Sequence, residues 1–302
     1  MNKFGYYISS MRLRTLPLAL GGVLLGALLA LADYRVDPRV ILLLCLTAVL
    51  LQILSNLSNE LGDVLRGNDG KDRQGPLYGL NSGALSVKQM KRFIAVIIIL
   101  CCISGAAMAR LSFGTLLCIE SITLLLLGAA AIIAAMRYTL GRNPYGYRGF
   151  GDFYVFMFFG IVSVLGAYFI SAHTLNSWAL LLPASAMGLL STAVLNLNNI
   201  RDMDTDAPLR GTTAIRFGLR GARIYHALLI SAGVLCTAVY VLLRFPDIRH
   251  WLFLLTLPFF ALHIRGVFSH TGRALDRYFP GLVLSIFALA ILTGVGFVMY
   301  LL

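Results

Sequence analysis

Apolar residues run along this chain in blocks long enough to cross a lipid bilayer, and short polar stretches separate them. Nine such blocks lie at approximately 15–32, 40–59, 93–112, 114–136, 153–170, 178–198, 224–243, 250–268 and 280–300. A helix needs about 20 apolar residues to span the hydrocarbon core, and blocks this long and uniformly apolar do not fit barrel strands. The pattern predicts an all-α membrane protein with nine transmembrane helices, forming a single domain over residues 1–302.

The composition agrees with this prediction and excludes other classes of protein. Of the 302 residues, 59% are apolar and 13% are charged, whereas an average soluble domain carries roughly 25% charged residues. The five cysteines all lie inside apolar blocks without metal-ligand spacing. We therefore exclude a soluble enzyme, a disordered protein and a disulfide-built secreted module.

The net charge of +12 is distributed unevenly between the two sides of the predicted membrane. Twenty of the 25 Lys and Arg residues lie in the N-terminal segment or in the loops after blocks two, four, six and eight. The positive-inside rule then places the N-terminus in the cytoplasm and the C-terminus outside. The same rule explains the basic excess without a nucleic-acid partner. A cleavable signal peptide ending near Ala30-Leu31-Ala32 is the less favoured alternative for the first block.

More than half of the 13 acidic residues lie in two corresponding loops, which follow blocks two and six. They are Glu60, Asp63, Asp69 and Asp72 in the first loop, and Asp202, Asp204 and Asp206 in the second. Both clusters follow an Asn-Leu-x-Asn sequence, at 56–59 and at 196–199. Because four blocks separate the two copies, they point the same way across the membrane. This predicts a parallel pseudo-repeat of four-helix units with a ninth helix added.

Helical geometry places the polar groups of each cluster on one helix face. At about 100° per residue, the members of each set fall within an arc of roughly 100–120°. The sets are Asn56, Asn59, Glu60 and Asp63, and Asn196, Asn199, Asp202 and Asp206. Uncompensated carboxylates are costly at a membrane edge, and a hard divalent cation with oxygen ligands removes that cost.

The clusters therefore predict a Mg²⁺ site. Its predicted ligands are Asn59, Glu60, Asp63, Asn199, Asp202 and Asp206. Mg²⁺ is commonly completed by substrate phosphates, and nearby cations suit such an anion. These cations are Arg66, Arg73, Lys88, Arg201 and Arg210. The alternative is that the acids only form salt bridges with the loop arginines.

Four stretches of sequence resemble the intramembrane aromatic prenyltransferases of the UbiA superfamily, and most closely its menaquinone branch. They are SNLSNELGDVLRGNDGKDRQGPL from Ser55, YTLGRNPYGYRGFGD from Tyr138, LNLNNIRDMDTD from Leu195 and MRLRTLPLA from Met11. Two details differ from the usual family pattern. Asn59-Glu60 replaces Asn-Asp, and Arg210 precedes Gly211, where the family often has a lysine.

The resemblance implies that a polyprenyl diphosphate binds through Mg²⁺ to the two acidic motifs, with Arg12 contacting the diphosphate. It also implies transfer of the prenyl group to 1,4-dihydroxy-2-naphthoate with loss of CO₂, giving demethylmenaquinone. In such an electrophilic substitution the departing diphosphate leaves an allylic carbocation, which aromatic faces stabilise. Asp69 and Asp72 would belong to the menaquinone-type extension of the first motif. The prenyl tail would lie in an apolar groove among membrane lipid.

The predicted catalytic residues are Asp63, Asp202, Asp206, Tyr138 and Tyr145. The predicted substrate-binding residues are Arg12, Asn56, Asn59, Arg66, Asp69, Asp72, Arg73, Lys88, Arg142, Asn196, Asn199, Arg201 and Arg210. Arg142 and Asp152 are the candidate partners for the aromatic acid. Two alternatives stay open: another aromatic acceptor such as 4-hydroxybenzoate, and a cation-coupled secondary transporter, whose site would lie near the membrane midplane.

Overall fold

Nine helices long and apolar enough to cross a membrane make up most of the computed structural model, which describes residues 2–67, 75–207, 210–244 and 247–300. They are α1 Lys3–Asp33, α2 Pro38–Leu65, α3 Val87–Phe113, α4 Ile119–Arg137, α5 Gly151–Ala172, α6 Trp178–Arg201, α7 Thr213–Leu243, α8 Ile248–Ser269 and α9 Gly272–Met299. The described part of the chain contains helices and no strands. The predicted all-α, nine-helix membrane fold is confirmed.

Polar residues in the short loops fix where several helices begin and end. The Asp37 side chain accepts a hydrogen bond from the Arg39 amide at the start of α2, and Thr212 caps α7 in the same way. Ser86 and Gln89 form a reciprocal capping box at the start of α3. Gly114, with φ of 75°, ends α3 in a left-handed conformation that glycine adopts without strain. The helix boundaries are therefore set by local sequence.

Helices α1 and α6 lie in the middle of the bundle. α1 packs against α2, α5, α6 and α9, while α6 packs against α5, α7 and α9. The small-xxx-small pair Gly22 and Gly26 forms the α1–α5 crossing, where an added Cβ would collide with Ser163 or with the Val164 carbonyl oxygen. The pair therefore allows the two helix backbones to approach closely, as small residues at this spacing do in membrane proteins.

Helix α4 lies at the edge of the bundle, where it packs on α2 and α3. Ser121 is its single buried residue, and large apolar side chains such as Leu126 and Ile133 are exposed. Glu120 lies exposed in the first turn of α4. The peripheral position of α4 leaves room for a cavity between α4 and the central helices.

Three helices depart from regular α geometry near the acidic motifs. α1 is interrupted at 11–15, where Arg12 has φ of 52°. α5 contains a π-helical segment, Phe156–Val162. α6 ends at Arg201 and a separate short helix, Met203–Asp206, follows it. The sequence predicted one helix reaching Asp206, so the second acidic motif is bent rather than straight.

We expect Gly26→Ala to destabilise the protein, because its Cβ has no space beside the Val164 carbonyl. Overpacking of this kind typically costs about 1–3 kcal/mol. Thermal unfolding in detergent should show a lower midpoint. Gly281→Ala on α9 is the matched control, because its Cβ meets no heavy atom within 4 Å. Equal midpoints for the two variants would contradict the packing role of Gly26.

Candidate active site

A cavity of about 720 Å³ extends among helices α1 to α6 and is polar at one end only. Its polar end is lined by both acidic motifs and by the interrupted segment of α1. The polar and charged residues that line it include Arg12, Arg14, Gln52, Asn56, Asn59, Asp63, Asn198, Asn199, Arg201, Asp202, Thr205, Asp206 and Arg210. The rest of the cavity is lined mainly by aliphatic side chains of α2 to α5. The cavity can therefore hold a ligand with a charged head and a long apolar tail.

Asn56 on α2 positions the neighbouring cation Arg12. The Asn56 amide nitrogen donates hydrogen bonds to the Met11 carbonyl at 2.8 Å and to the Thr15 hydroxyl at 2.9 Å. These bonds hold the interrupted segment of α1, in which Arg12 adopts its left-handed backbone conformation. Asn56 thus supports the site as well as lining it.

The Arg12 guanidinium lies over the ring of Tyr78, with 4.4 Å between the guanidinium carbon and the ring centroid. Its Nε and one terminal nitrogen are buried and have no hydrogen-bond partner among the described residues. Unsatisfied buried donors on a cation are costly, and an anion in the cavity would satisfy them. Arg12 is therefore a suitable donor to a phosphate group.

Arg210 lies between the two acidic motifs. It forms an ion pair with Asp63 of the first motif, and its Nε lies 3.6 Å from an Asp206 carboxylate oxygen of the second. Burial by itself would lower the pKa of Arg210, but Asp63 and Asp206 outweigh that effect and raise its pKa above the ordinary value. The Arg210 side chain therefore stays cationic.

Tyr147 completes this contact between the motifs. Its hydroxyl donates to Asp63 at 2.8 Å, and its ring lies beneath the Arg210 guanidinium at 4.3 Å. Burial and the Asp63 charge raise the pKa of the Tyr147 phenol, so it remains a hydrogen-bond donor. Tyr147 is not among the residues predicted for the site from the sequence.

A second ion-pair network holds Arg201 and Arg14 at the wall of the cavity. Arg201 pairs with Asp202 at 2.7 Å and with Asp276 of α9 at 2.7 Å, and Asp276 also pairs with Arg14 at 3.0 Å. Sequence reasoning missed Arg14 and Asp276. The available signals were that Arg14 lies in the Met-Arg-Leu-Arg stretch and that Asp276 is the single acid in a basic loop.

Aromatic rings form one wall next to the polar end. Tyr138 and Tyr145 meet edge to face at 5.3 Å, Tyr145 stacks on Tyr154 at 3.9 Å, and Tyr154 stacks on Phe158 at 6.3 Å. All four rings line the cavity. Burial raises the pKa of Tyr138 to about 12. Tyr154 and Phe158 were missed, although their spacing of four residues on α5 indicates a shared helix face.

Glu60 lies outside the cavity, contrary to its prediction as a metal ligand. The side chain is fully buried, and its Oε1 accepts hydrogen bonds from the amides of Leu80 at 2.6 Å and Asn81 at 3.3 Å. The carboxylate therefore anchors the loop before α3. Its position at the edge of the predicted polar arc allows it to turn away from Asp63.

Four other predicted substrate-binding residues also lie away from the cavity. Arg66 donates to the carbonyls of the loop after α4, including that of Gly141, and Asn196 donates to the Ala222 carbonyl at 3.0 Å. Arg142 is exposed, and Lys88 lies on the first turn of α3 with other basic residues. Arg66 and Asn196 thus hold other segments of the chain, while Arg142 and Lys88 lie at the surface, and none of the four faces the polar end.

The remaining predictions divide between cavity, bundle interior and undescribed residues. Asn59, Asn199 and Asp206 line the cavity. Asp152 accepts a hydrogen bond from Tyr225 at 3.0 Å and does not line it. Asp69, Asp72 and Arg73 lie outside the described residues.

The donor chemistry at the polar end fits Mg²⁺ that is shared with a phosphorylated ligand. Among the described residues, no three His, Cys, Asp or Glu side chains form a closed metal-binding group. Mg²⁺ ordinarily takes one or two protein carboxylates together with waters and substrate phosphates. Asp63, Asp202 and Asp206 supply carboxylates, and Asn59 and Asn199 supply amide oxygens, along the same end of the cavity.

Comparison with known proteins identifies the family of this chain. The model of the UbiA prenyltransferase family matches residues 19–279. This chain belongs to the UbiA prenyltransferase family. The membership decides against the transporter alternative and makes the protein a prenyltransferase.

Curated relatives of this UbiA family member are similar along most of the chain. The 1,4-dihydroxy-2-naphthoate octaprenyltransferase of Escherichia coli (strain K12) is 44% identical over 262 residues, covering 86% of this chain and 84% of that protein. The enzyme of the same name from Haemophilus influenzae is 38% identical and covers 83% of this chain and 82% of its own.

Solved structures share the fold. A UbiA homolog from Aeropyrum pernix K1 matches 95% of this chain and 98% of its own with a TM-score of 0.70 at 18% identity. A UbiA homolog from Archaeoglobus fulgidus, bound to GPP and Mg²⁺, matches 94% of this chain and 99% of its own with a TM-score of 0.61 at 16% identity. At this identity the likeness supports the nine-helix architecture.

The different environments of two neighbouring carboxylates give a direct test of the site. We expect Asp63→Asn to lower prenyl transfer by at least about 100-fold, because a lost charge at a metal-assisted centre costs several kcal/mol. Glu60→Gln keeps an oxygen that accepts from the Leu80 amide and should stay within about threefold of wild type. Rates measured in detergent with a prenyl diphosphate donor check this. A loss of prenyl transfer in Glu60→Gln as large as that in Asp63→Asn would show that Glu60 acts as a metal ligand after all.

Proposed function

We propose that this UbiA family member transfers a polyprenyl group from an allylic diphosphate to 1,4-dihydroxy-2-naphthoate, with loss of CO₂, on the pathway to demethylmenaquinone. The observation that carries the proposal is the cavity, which joins a polar end of two acidic motifs and cations to an aliphatic half. The names of the curated relatives support the naphthoate acceptor.

The diphosphate head would lie at the polar end, between the two acidic motifs and Arg12. Asp63, Asp202 and Asp206, with Asn59 and Asn199, would hold Mg²⁺ there. When bound, Mg²⁺ would supply neutralisation of the diphosphate charge, which makes the diphosphate a better leaving group. Arg12 would donate hydrogen bonds to the diphosphate oxygens from its two buried nitrogens that have no partner in the described part of the chain.

The chemical step follows from this arrangement. The allylic C–O bond breaks and its electron pair leaves with the diphosphate. The aromatic ring of the acceptor attacks the allylic carbon, and CO₂ leaves so that the aromatic ring is restored. The rings of Tyr138, Tyr145 and Tyr154 line the adjacent wall, where their faces would stabilise the positive charge on the prenyl group.

The acceptor's carboxylate needs a cation inside the cavity, and Arg142 and Asp152 do not line it. Arg14 and Arg201 do line the cavity, where both are paired with Asp276. They are the cations available near the aromatic wall, so we place the acceptor between that wall and the arginines of the polar end. We also propose that the polar end faces the cytoplasm of a bacterial inner membrane, because the basic loops lie on that side.

The acceptor and the metal requirement can be tested in one assay. Purified protein in detergent with Mg²⁺, farnesyl diphosphate and 1,4-dihydroxy-2-naphthoate should yield a prenylated naphthoquinol detectable by mass. Adding EDTA, or introducing Asp63→Ala or Asp202→Ala, should reduce the yield by at least about 100-fold. Product with 4-hydroxybenzoate but none with the naphthoate would keep the fold and the chemistry and replace the acceptor.

Tyr138 should act through its aromatic face. A desolvated cation–π contact contributes up to about 2 kcal/mol, so Tyr138→Leu should lower kcat by about 10- to 30-fold, and Tyr138→Phe by less than about fivefold. Because the Tyr138 pKa is raised to about 12, its ionisation should leave no step in the rate profile below pH 10. Equal losses in the Phe and Leu variants would instead assign the role to the hydroxyl.

A further inference from the structure

Three glycines on three different helices line the aliphatic half of the cavity. They are Gly105 on α3, Gly128 on α4 and Gly166 on α5. A Cβ built on any of them meets no heavy atom within 4 Å. By contrast, a Cβ at Gly22 or Gly26 collides with α5. The three cavity glycines therefore do not serve helix packing, and each one leaves open space next to its backbone.

Glycine weakens a helix relative to alanine, so three glycines without a packing role need another explanation. All three are partly exposed, and the space they leave belongs to the cavity. A side chain at any of them would project into that space. The three residues therefore share one effect, which is that each of them widens the cavity beyond its polar end.

The three positions lie at increasing depth. With a rise of 1.5 Å per residue, Gly128 lies about 14 Å along α4 from Arg137, Gly166 about 22 Å along α5 from Gly151, and Gly105 about 27 Å along α3 from Val87. Arg137, Gly151 and Val87 are the ends of these helices on the side of the acidic motifs. A short prenyl tail would end near Gly128, whereas a long tail must pass Gly166 and Gly105.

A separate hydrophobic cluster lines the cavity away from its polar end. Val23, Leu44, Met108, Ala167 and Ile170 are buried together, and all of them also line the cavity. Gly105 precedes Met108 by one helical turn, and Gly166 precedes Ile170 by one turn. Gly105 and Gly166 thus lie one helical turn before members of this cluster. The free volume beside their backbones there determines whether a prenyl tail can extend further.

We infer that Gly105, Gly128 and Gly166 are specificity-determining residues for the length of the prenyl donor. By leaving the walls bare, they allow the tail of a long allylic diphosphate to extend past the first isoprene units. This inference rests on the proposed function, since it concerns the tail of the same donor. Selectivity between short and long donors would then depend on three uncharged positions that take no part in the chemical step.

The test is a competition between donors in the full-length protein. Wild type, Gly105→Leu, Gly128→Leu and Gly166→Leu each receive equimolar farnesyl and octaprenyl diphosphate with the aromatic acceptor, and mass spectrometry gives the ratio of the two products. One extra or missing methylene group in an apolar pocket typically changes selectivity by about 10- to 200-fold. We expect each Leu variant to lower the octaprenyl-to-farnesyl product ratio by at least about tenfold.

The depth of each position predicts a graded result with donors of intermediate length. Gly128→Leu should begin to reject donors at a shorter length than Gly166→Leu, and Gly105→Leu should tolerate the longest tails of the three. The corresponding Ala variants should show smaller shifts in the same order. Thermal unfolding in detergent shows whether each Leu variant folds. If one does not, the Ala variant at the same position supplies the test.

Gly281→Leu on α9 is the matched control, because its Cβ also meets open space and the residue does not line the cavity. Its product ratio should equal that of wild type. Folded cavity variants with an unchanged ratio would overturn the inference, as would a shift of the same size in Gly281→Leu. Failure of the proposed function is distinguishable, because wild type would then yield neither naphthoate product.

Discussion

Two groups of like charge meet at the polar end of the cavity, and Arg210 is the cation that lies between them. Asp63 comes from the end of α2 and Asp206 from the short helix after α6, yet both contact one guanidinium. Carboxylates partly removed from water repel each other unless a cation compensates them. Arg210 therefore neutralises part of the negative charge of the two acidic motifs, and Tyr147 contacts both Asp63 and Arg210.

The rest of the architecture separates this charged end from an apolar interior. Central helices α1 and α6 are fixed by close packing, while α4 lies at the edge and leaves a cavity beside α2, α3 and α5. A ligand with a diphosphate head and a hydrocarbon tail has the same division of polarity. Ion pairs through Asp276 tie α9 to Arg14 and Arg201, so even the last helix contributes to the position of the charged end.

Glu60 and Asp63 illustrate where sequence reasoning about a site stops. A helical wheel places both on one polar face, and both are acids in the same motif. The structure turns Glu60 toward two loop amides and leaves Asp63 in the cavity. Arg66 and Asn196 repeat the same lesson, because their partners are carbonyls of distant loops and helices. Such partners lie 20 to 80 positions away along the chain, where no local pattern reports them.

The sequence by itself determined the properties that depend on local composition. The nine spans follow from blocks of apolar residues, since a bilayer constrains each segment separately. The two acidic motifs and the family follow from short sequence motifs. Only the tertiary structure decided which side chains of those motifs face the cavity, that Arg210 joins them, and that Tyr154 and Asp276 belong to the same end. The physical reason is that burial and pairing of a polar group depend on the neighbours that packing brings to it.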